Sequence, residues 1–178
     1  DLIFRAFYAL PRTIRDRDGQ PANAIYGFAS FLVKYLTDAR PTHVAVAFDQ
    51  NLNPSFRNQT LAAYKATRPA PPAELESQLA TCLEAARALG VAAFIDPDYE
   101  ADDLIATLVA RLDRRDRRFV VVSVDKDLAQ LVGERVQLCD PGRSVRLDAA
   151  GVHARYGVHP HQIVDWLALA GDAVDNIP

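Results

Sequence analysis

The chain has 178 residues, 49% hydrophobic and 24% charged, which suits one soluble domain with a sizeable core. A net charge of −3 and a pI near 5.8 exclude binding to nucleic acid through overall charge, so any such contact must come from local clusters. No apolar run approaches the roughly 20 residues that cross a bilayer. No secretory leader is expected, and two separated cysteines, Cys82 and Cys139, fit a reduced, cytoplasmic setting.

Residues 24–38 carry Ile25, Phe28, Phe31, Leu32, Tyr35 and Leu36 at helical spacing, and Pro41 ends that period. Residues 43–48 are a nearly continuous apolar run closing on Asp49, which predicts a buried strand. From 50 to 72 no apolar period survives. The stretch is polar and basic and finishes in Arg68-Pro69-Ala70-Pro71-Pro72, which predicts a long, partly ordered loop. A second amphipathic helix is predicted over 74–89 through Leu75, Leu79, Leu83 and Leu89, with Gly90 as its stop. A strand over 91–95, a helix over 100–112 and an apolar strand over 119–123, closing at Asp125, come next. A short helix near 128–132, a strand over 136–139, a turn at Asp140-Pro141-Gly142 and helices near 149–156 and 160–170 complete the order. Apolar strands alternating with helices predict a parallel sheet covered on both faces. The run Arg111, Arg114, Arg115, Arg117 and Arg118 reads as a solvated helix end and loop.

In open α/β sheets, ligands bind outside the carboxyl ends of the strands. Asp49 follows one predicted strand at that end, and Asp125 and Asp127 follow another. Glu100, Asp102 and Asp103 open a helix shortly after a third. Asp172 and Asp175, three apart, share a face if their segment is helical. Each group alone has a plain reading, as acids of a helix first turn or of a loop. Together they differ, because two unit charges about 4 Å apart repel by about 1 kcal/mol in water and about 4 kcal/mol at an effective dielectric of 20. Acids converging on one rim therefore call for cations. Oxygen-rich sites suit Mg²⁺ or Mn²⁺, and a pair of such ions can activate water and stabilise the leaving oxygen of a phosphodiester. No Ser/His/Asp order, paired-cysteine motif or Gly-rich phosphate loop competes, and His43, His153, His159 and His161 are scattered.

Seven motifs, in order along the chain, resemble the 5′–3′ exonuclease domain of bacterial DNA polymerase I and its stand-alone flap endonuclease relatives. They are Phe4-Arg5-Ala6-Phe7-Tyr8-Ala9-Leu10, Gly19-Gln20-Pro21-Ala22-Asn23-Ala24-Ile25-Tyr26-Gly27-Phe28, and Pro41-Thr42-His43-Val44-Ala45-Val46-Ala47-Phe48-Asp49. Phe56-Arg57 with Tyr64-Lys65-Ala66-Thr67-Arg68-Pro69, and Tyr99-Glu100-Ala101-Asp102-Asp103, come next. Asp125-Lys126-Asp127-Leu128 and Gly171-Asp172-Ala173-Val174-Asp175-Asn176-Ile177-Pro178 complete the set.

The resemblance implies a PIN-like, three-layer α/β fold with a mostly parallel central sheet, helices on both faces and an arch loop over the active site. It implies a divalent-metal-dependent 5′–3′ exonuclease or flap endonuclease that hydrolyses DNA in replication and repair, with two Mg²⁺ or Mn²⁺ ions. One metal group is expected from Asp49, Glu100, Asp102, Asp103 and Asp125, and the remaining acids are Asp127, Asp172 and Asp175. Asp102 and Asp125, with Lys65 and Arg57, are expected to carry catalysis. Arg5, Arg57, Lys65 and Arg68 are expected on phosphate, and Tyr64 on a base. The implied partner is DNA with single-stranded 5′ ends or flaps, with a DNA polymerase fused or separate, in the bacterial cytoplasm at the nucleoid and away from membranes.

The family has glycine where Val124 stands, and it begins upstream with a strand that supplies one more metal aspartate. It continues downstream into a helix-hairpin-helix segment, so residues 1–178 are expected to be a catalytic domain cut at both ends. Two other readings are a PIN-type ribonuclease and a non-catalytic nucleic-acid-binding relative.

Overall fold

The computed structural model describes residues 1–50, 55–143 and 145–178. In chain order the elements are α1 (Leu2–Ala9), α2 (Asn23–Ala39), β1 (Ala45–Asp49), α3 (Arg57–Thr60), α4 (Ala73–Ala88) and β2 (Ala92–Asp96). They continue with α5 (Ala101–Leu112), β3 (Phe119–Val122), β4 (Val136–Asp140), β5 (Val145–Leu147), α6 (Ala149–Tyr156) and α7 (Ile163–Ala170). Short 3-10 turns occupy Asp127–Leu131 and Pro160–Gln162. The chain divides into two compact units, Asp1–Leu52 with Pro69–Asp96, and Asn53–Arg68 with Pro97–Pro178.

The first unit is organised on the parallel pair β1 and β2, in register from Ala45 opposite Ala92 to Asp49 opposite Asp96. Parallel strands require a crossover, and α4 supplies it. Its core joins Ile3 and Phe7 of α1, Phe28 and Leu32 of α2, Leu75 and Cys82 of α4, and Phe48 and Val91 of the strand region. Two fully buried amides tie the three helices. Asn23 Nδ2 donates to the Phe7 carbonyl at 2.7 Å. Gln78 Oε1 accepts from the Ala24 backbone N–H at 2.8 Å, satisfying a donor at the open start of α2, and Gln78 Nε2 donates to the Glu74 carbonyl at 2.9 Å. Gly27 lets α1 and α2 approach closely, since a Cβ there would lie 2.6 Å from Ala6 Cβ.

In the second unit β3 and β4 are parallel, and β5 joins β4 antiparallel. Val121, Leu128, Val136, Leu138, Leu147, Val152 and Ile163 form its core. The Asp148 side chain accepts from the Gly151 N–H at 2.8 Å and so caps α6, which Gly157 ends in the left-handed region at φ 76°. The helix predicted over 160–170 is divided here: Pro160 opens a 3-10 turn, and α7 begins only at Ile163. No helix among the described residues is long and apolar enough to cross a membrane.

Three elements were not anticipated by hydrophobic period, namely α1, the single turn α3 inside the expected loop, and the three-residue β5. Residues 51–54 of that loop lie outside the described residues. The Arg111–Arg118 cluster is at the surface as expected, with Arg111, Arg114, Arg115 and Arg118 exposed. Three of the histidines lie together: the His159 ring is stacked on His161, with centres 5.8 Å apart, and tilted against His153, at 4.5 Å.

Candidate functional site

In the first unit, Asp49 and Asp96 end adjacent parallel strands in register, so β1 does deliver Asp49 to a carboxyl end. Arg5 is exposed on α1.

The remaining candidates belong to the second unit. Glu100 is the N-cap of α5 and shares a capping box with Asp103, whose Oδ2 accepts from the Glu100 N–H at 3.0 Å. Asp102 is half-buried in the same first turn. Facing them is the segment 55–68. Arg57 grips Asp103 with a two-pronged fork, Nη2 to Oδ1 at 2.7 Å and Nη1 to Oδ2 at 2.8 Å. Lys65 Nζ reaches Glu100 Oε2 at 2.5 Å, and the Tyr64 hydroxyl donates to the same oxygen at 3.2 Å. Lys65 stands in the left-handed region at φ 55°, with its N–H on the Asp175 carbonyl at 2.9 Å. Asn176, also left-handed at φ 57°, donates from its side chain to the Ala63 carbonyl at 3.0 Å. Arg68 pairs with the buried Asp175. Two non-glycine residues held in this region mark a strained, over-determined contact.

These pairs set the acidity of the site. Burial pushes Glu100 and Asp103 up, but Lys65 on the first and Arg57 on the second outweigh it, so both carboxyls lie below their ordinary range. Burial raises the Tyr64 phenol, helped by the charge of Glu100, so it stays a neutral donor.

The second acidic group is arranged around the turn after β3. Asp125 takes its backbone donor to Ser123 Oγ at 3.1 Å and accepts from the Asp127 N–H at 3.0 Å. Lys126 Nζ lies 2.6 Å from Asp172 Oδ2 and 3.2 Å from Asp127 Oδ1. The second contact is electrostatic only, because Asp127 Oδ1 is buried without a hydrogen-bond partner among the described residues. Burial, then the charge of Asp125, push the Asp127 carboxyl up despite Lys126. Asp172 goes the other way, held down by its hydrogen bond from Lys126. Val124 is not among the left-handed residues, so the absence of glycine there introduces no such strain.

The structure thus gathers Glu100, Asp103 and Asp175 with the three cations of 55–68, and Asp125, Asp127 and Asp172 around Lys126. As they stand, no three metal-ligating side chains among the described residues are close enough together to hold an ion. Ammonium and guanidinium groups sit between the carboxylates instead. Tyr64, expected on a base, is 6% exposed in this structure, with Lys65 Nζ 4.8 Å from its ring centre. Its hydroxyl donates to Glu100 from that buried position. The pairing of Lys126 with Asp172, 46 positions apart, was missed, and only the alternating Asp-Lys-Asp pattern hinted at it.

The donor set still fits hard divalent cations. It is all carboxylate oxygen, and the unsatisfied Asp127 oxygen beside two further acids is a repulsion that a cation would relieve.

Against known proteins, residues 1–157 match the family described as 5′-3′ exonuclease, N-terminal resolvase-like domain. The chain belongs to this family. It is 42% identical over 182 residues to DNA polymerase I of Mycobacterium leprae, covering 99% of this chain and 20% of the polymerase. It is 37% identical to the 5′-3′ exonuclease of Aquifex aeolicus, covering 99% of this chain and 60% of that protein. The chain therefore spans about a fifth of the length of the polymerases it matches. Its fold is that of the T5 D15 protein co-crystallised with metal ions, with a TM-score of 0.81 at 19% identity over 98% of this chain and 65% of that one. The α/β architecture expected from sequence is therefore the fold of this family member.

Proposed function

We propose that residues 1–178 are the catalytic domain of a divalent-metal-dependent 5′–3′ exonuclease and flap endonuclease acting on DNA. The observation that carries this reading is the gathering of acids on the second unit from three separated stretches, the α5 start, the turn after β3 and the loop of Asp172 and Asp175. Glu100, Asp102, Asp103 and Asp125 would hold one Mg²⁺ or Mn²⁺, and Asp127, Asp172 and Asp175 would hold a second, while Asp49 is the candidate metal ligand of the first unit. When bound, such ions polarise phosphate and lower the pKa of water at neutral pH.

The chain's own part is binding and orientation. Arg57, Lys65 and Arg68, held over the acids in this structure, exchange carboxylate for phosphate when a 5′ single strand enters. Lys65 and Arg57 then place positive charge beside the scissile phosphate, where negative charge grows in the transition state. Arg5 adds a phosphate contact on α1. A polymerase partner, fused or separate, and work in the bacterial cytoplasm follow from the same reading.

The test is cleavage of a 5′-flap DNA in Mg²⁺, beside its RNA counterpart. Asp125→Asn should reduce turnover by several orders of magnitude while leaving the circular dichroism of the fold intact. Unchanged turnover would remove Asp125 from the centre, and preference for the RNA flap would favour the ribonuclease reading.

A further inference from the structure

The family motif Asp125-Lys126-Asp127 contains one residue without a role in the reading above. The Lys126 side chain is about as exposed as that of Asp127, at 36% and 37%, yet it is not directed freely into solvent. Its ammonium bridges two carboxylates 45 positions apart, at 2.6 Å from Asp172 Oδ2 and 3.2 Å from Asp127 Oδ1. Asp172 in turn is fixed by its loop, with Oδ1 accepting from the Val174 N–H at 2.9 Å. Asp127 is fixed by its N–H on Asp125 Oδ1. The Asp172 carboxylate is thus held by its loop and the Asp127 backbone by Asp125, with Lys126 as the cation between the two carboxylates.

One oxygen remains unsatisfied in this arrangement. Asp127 Oδ1 is buried and feels the ammonium only as a point charge, without a hydrogen bond. A lysine gives three donors around one positive charge, whereas a divalent ion takes several oxygens at once. The ammonium therefore substitutes for an ion incompletely, which is what a displaceable group should do. It has the stem to withdraw, since four methylenes allow its head to move to solvent.

We propose that Lys126 is a positioning residue that serves as a built-in counter-cation for the Asp127–Asp172 carboxylate pair, holding it assembled without metal and yielding to the second divalent ion. The inference rests on the proposed metal-binding function of these acids. Its consequence is that an ion entering at Asp127 and Asp172 must displace a charge of the same sign, which lowers its affinity there. Removing the ammonium has two effects of opposite direction: the metal-free carboxylates lose their neutralising charge, and the incoming ion loses its competitor.

The experiment measures Mn²⁺ binding to the DNA-free protein by electron paramagnetic resonance of the free ion, with denaturant midpoints in chelator alongside. Lys126→Met, which keeps the stem and loses the charge, should bind Mn²⁺ at Asp127 and Asp172 roughly tenfold more tightly, the scale of losing one unit charge a few ångströms away in a partly solvated site. Its midpoint in chelator should fall. Lys126→Arg should return both values toward the unsubstituted protein, because the charge is restored. A purely structural lysine would lower the midpoint and weaken Mn²⁺ together, and that result overturns the proposal, as does unchanged Mn²⁺ affinity in Lys126→Met. Failure of the unsubstituted protein to bind Mn²⁺ at all would overturn the metal-centre reading itself, a distinguishable outcome.

Discussion

Asp127 and Glu100 show how two carboxylates of one unit can have opposite effects on the metal-free fold. The folded pKa of Glu100 is depressed, as are those of Asp103 and Asp172. Their stabilisation is present above the ordinary carboxylate pKa and is lost as pH falls through the folded value. Asp127 is raised by burial and by Asp125, so its ionised form opposes folding at neutral pH, and that opposition is relieved as pH falls through its folded pKa. In chelator at pH 7, Asp127→Asn should therefore stabilise the protein, by no more than about 1 kcal/mol given its partial exposure to solvent. Denaturant midpoints at pH 7 and pH 3 provide the check. Asp127→Asn should steepen the acid loss of stability, whereas Glu100→Gln should lower the midpoint at pH 7 and flatten the loss. Identical pH profiles for both variants would contradict the assignment of opposite shifts.

At the level of elements, two glycines hold positions that no side chain fits. Ala6 Cβ and Leu10 Cδ1 would stand 2.6 Å and 2.7 Å from a Cβ on Gly27, and Ala6 belongs to a packed helix that cannot yield alone. Gly27→Ala gains about 1 kcal/mol of helix propensity but forces α1 outward, at a typical cost of 1–3 kcal/mol. A lowered melting temperature is expected. Gly171 is left-handed at φ 68°, and a Cβ there would meet the backbone of Ile177 and Pro178 at 2.8 to 2.9 Å. Gly171→Ala should therefore disturb Asp172 and Asp175 and weaken Mn²⁺ binding more than it lowers stability.

The same elements show what a single sequence makes readable. Helix α6 spans the predicted residues 149–156, because Asp148 and Gly157 are strong end signals flanking it. Strands β1 to β4 were legible from continuous apolar runs. Helix α1 was not read, although Ile3 and Phe7 make its buried face, because an eight-residue element offers little period to see. Helix α3, Arg-Asn-Gln-Thr, has no apolar residue at all, and β5 is too short to alternate visibly. The acids themselves were legible as a set. Their cationic partners were not, because Lys65 with Glu100 and Arg68 with Asp175 are 35 and 107 positions apart.

On the scale of the whole molecule, each unit has its own core, one centred on Phe28 and Leu75 and the other on Leu128 and Ile163. Leu75→Ala and Ile163→Ala should each cost about 2–5 kcal/mol within the unit concerned. Hydrogen exchange then reports whether the units open separately: protection lost in Leu75→Ala should concentrate on α1, α2 and α4, and in Ile163→Ala on β3, β4 and α6. Equal loss throughout would mean a single cooperative block. The second unit also depends on order of synthesis. Lys65 and Arg68 are made early, whereas the Asp175 carbonyl and carboxylate they grasp are made more than a hundred residues later. A ribosome must therefore complete the Asp172–Ile177 loop before the segment 63–68 can settle on its partners. A growing chain carries the acids of α5 and the turn after β3 well before that moment. A partly made chain thus lacks the contacts that hold Lys65 and Arg68, and the segment that carries them can settle only after translation has passed the loop.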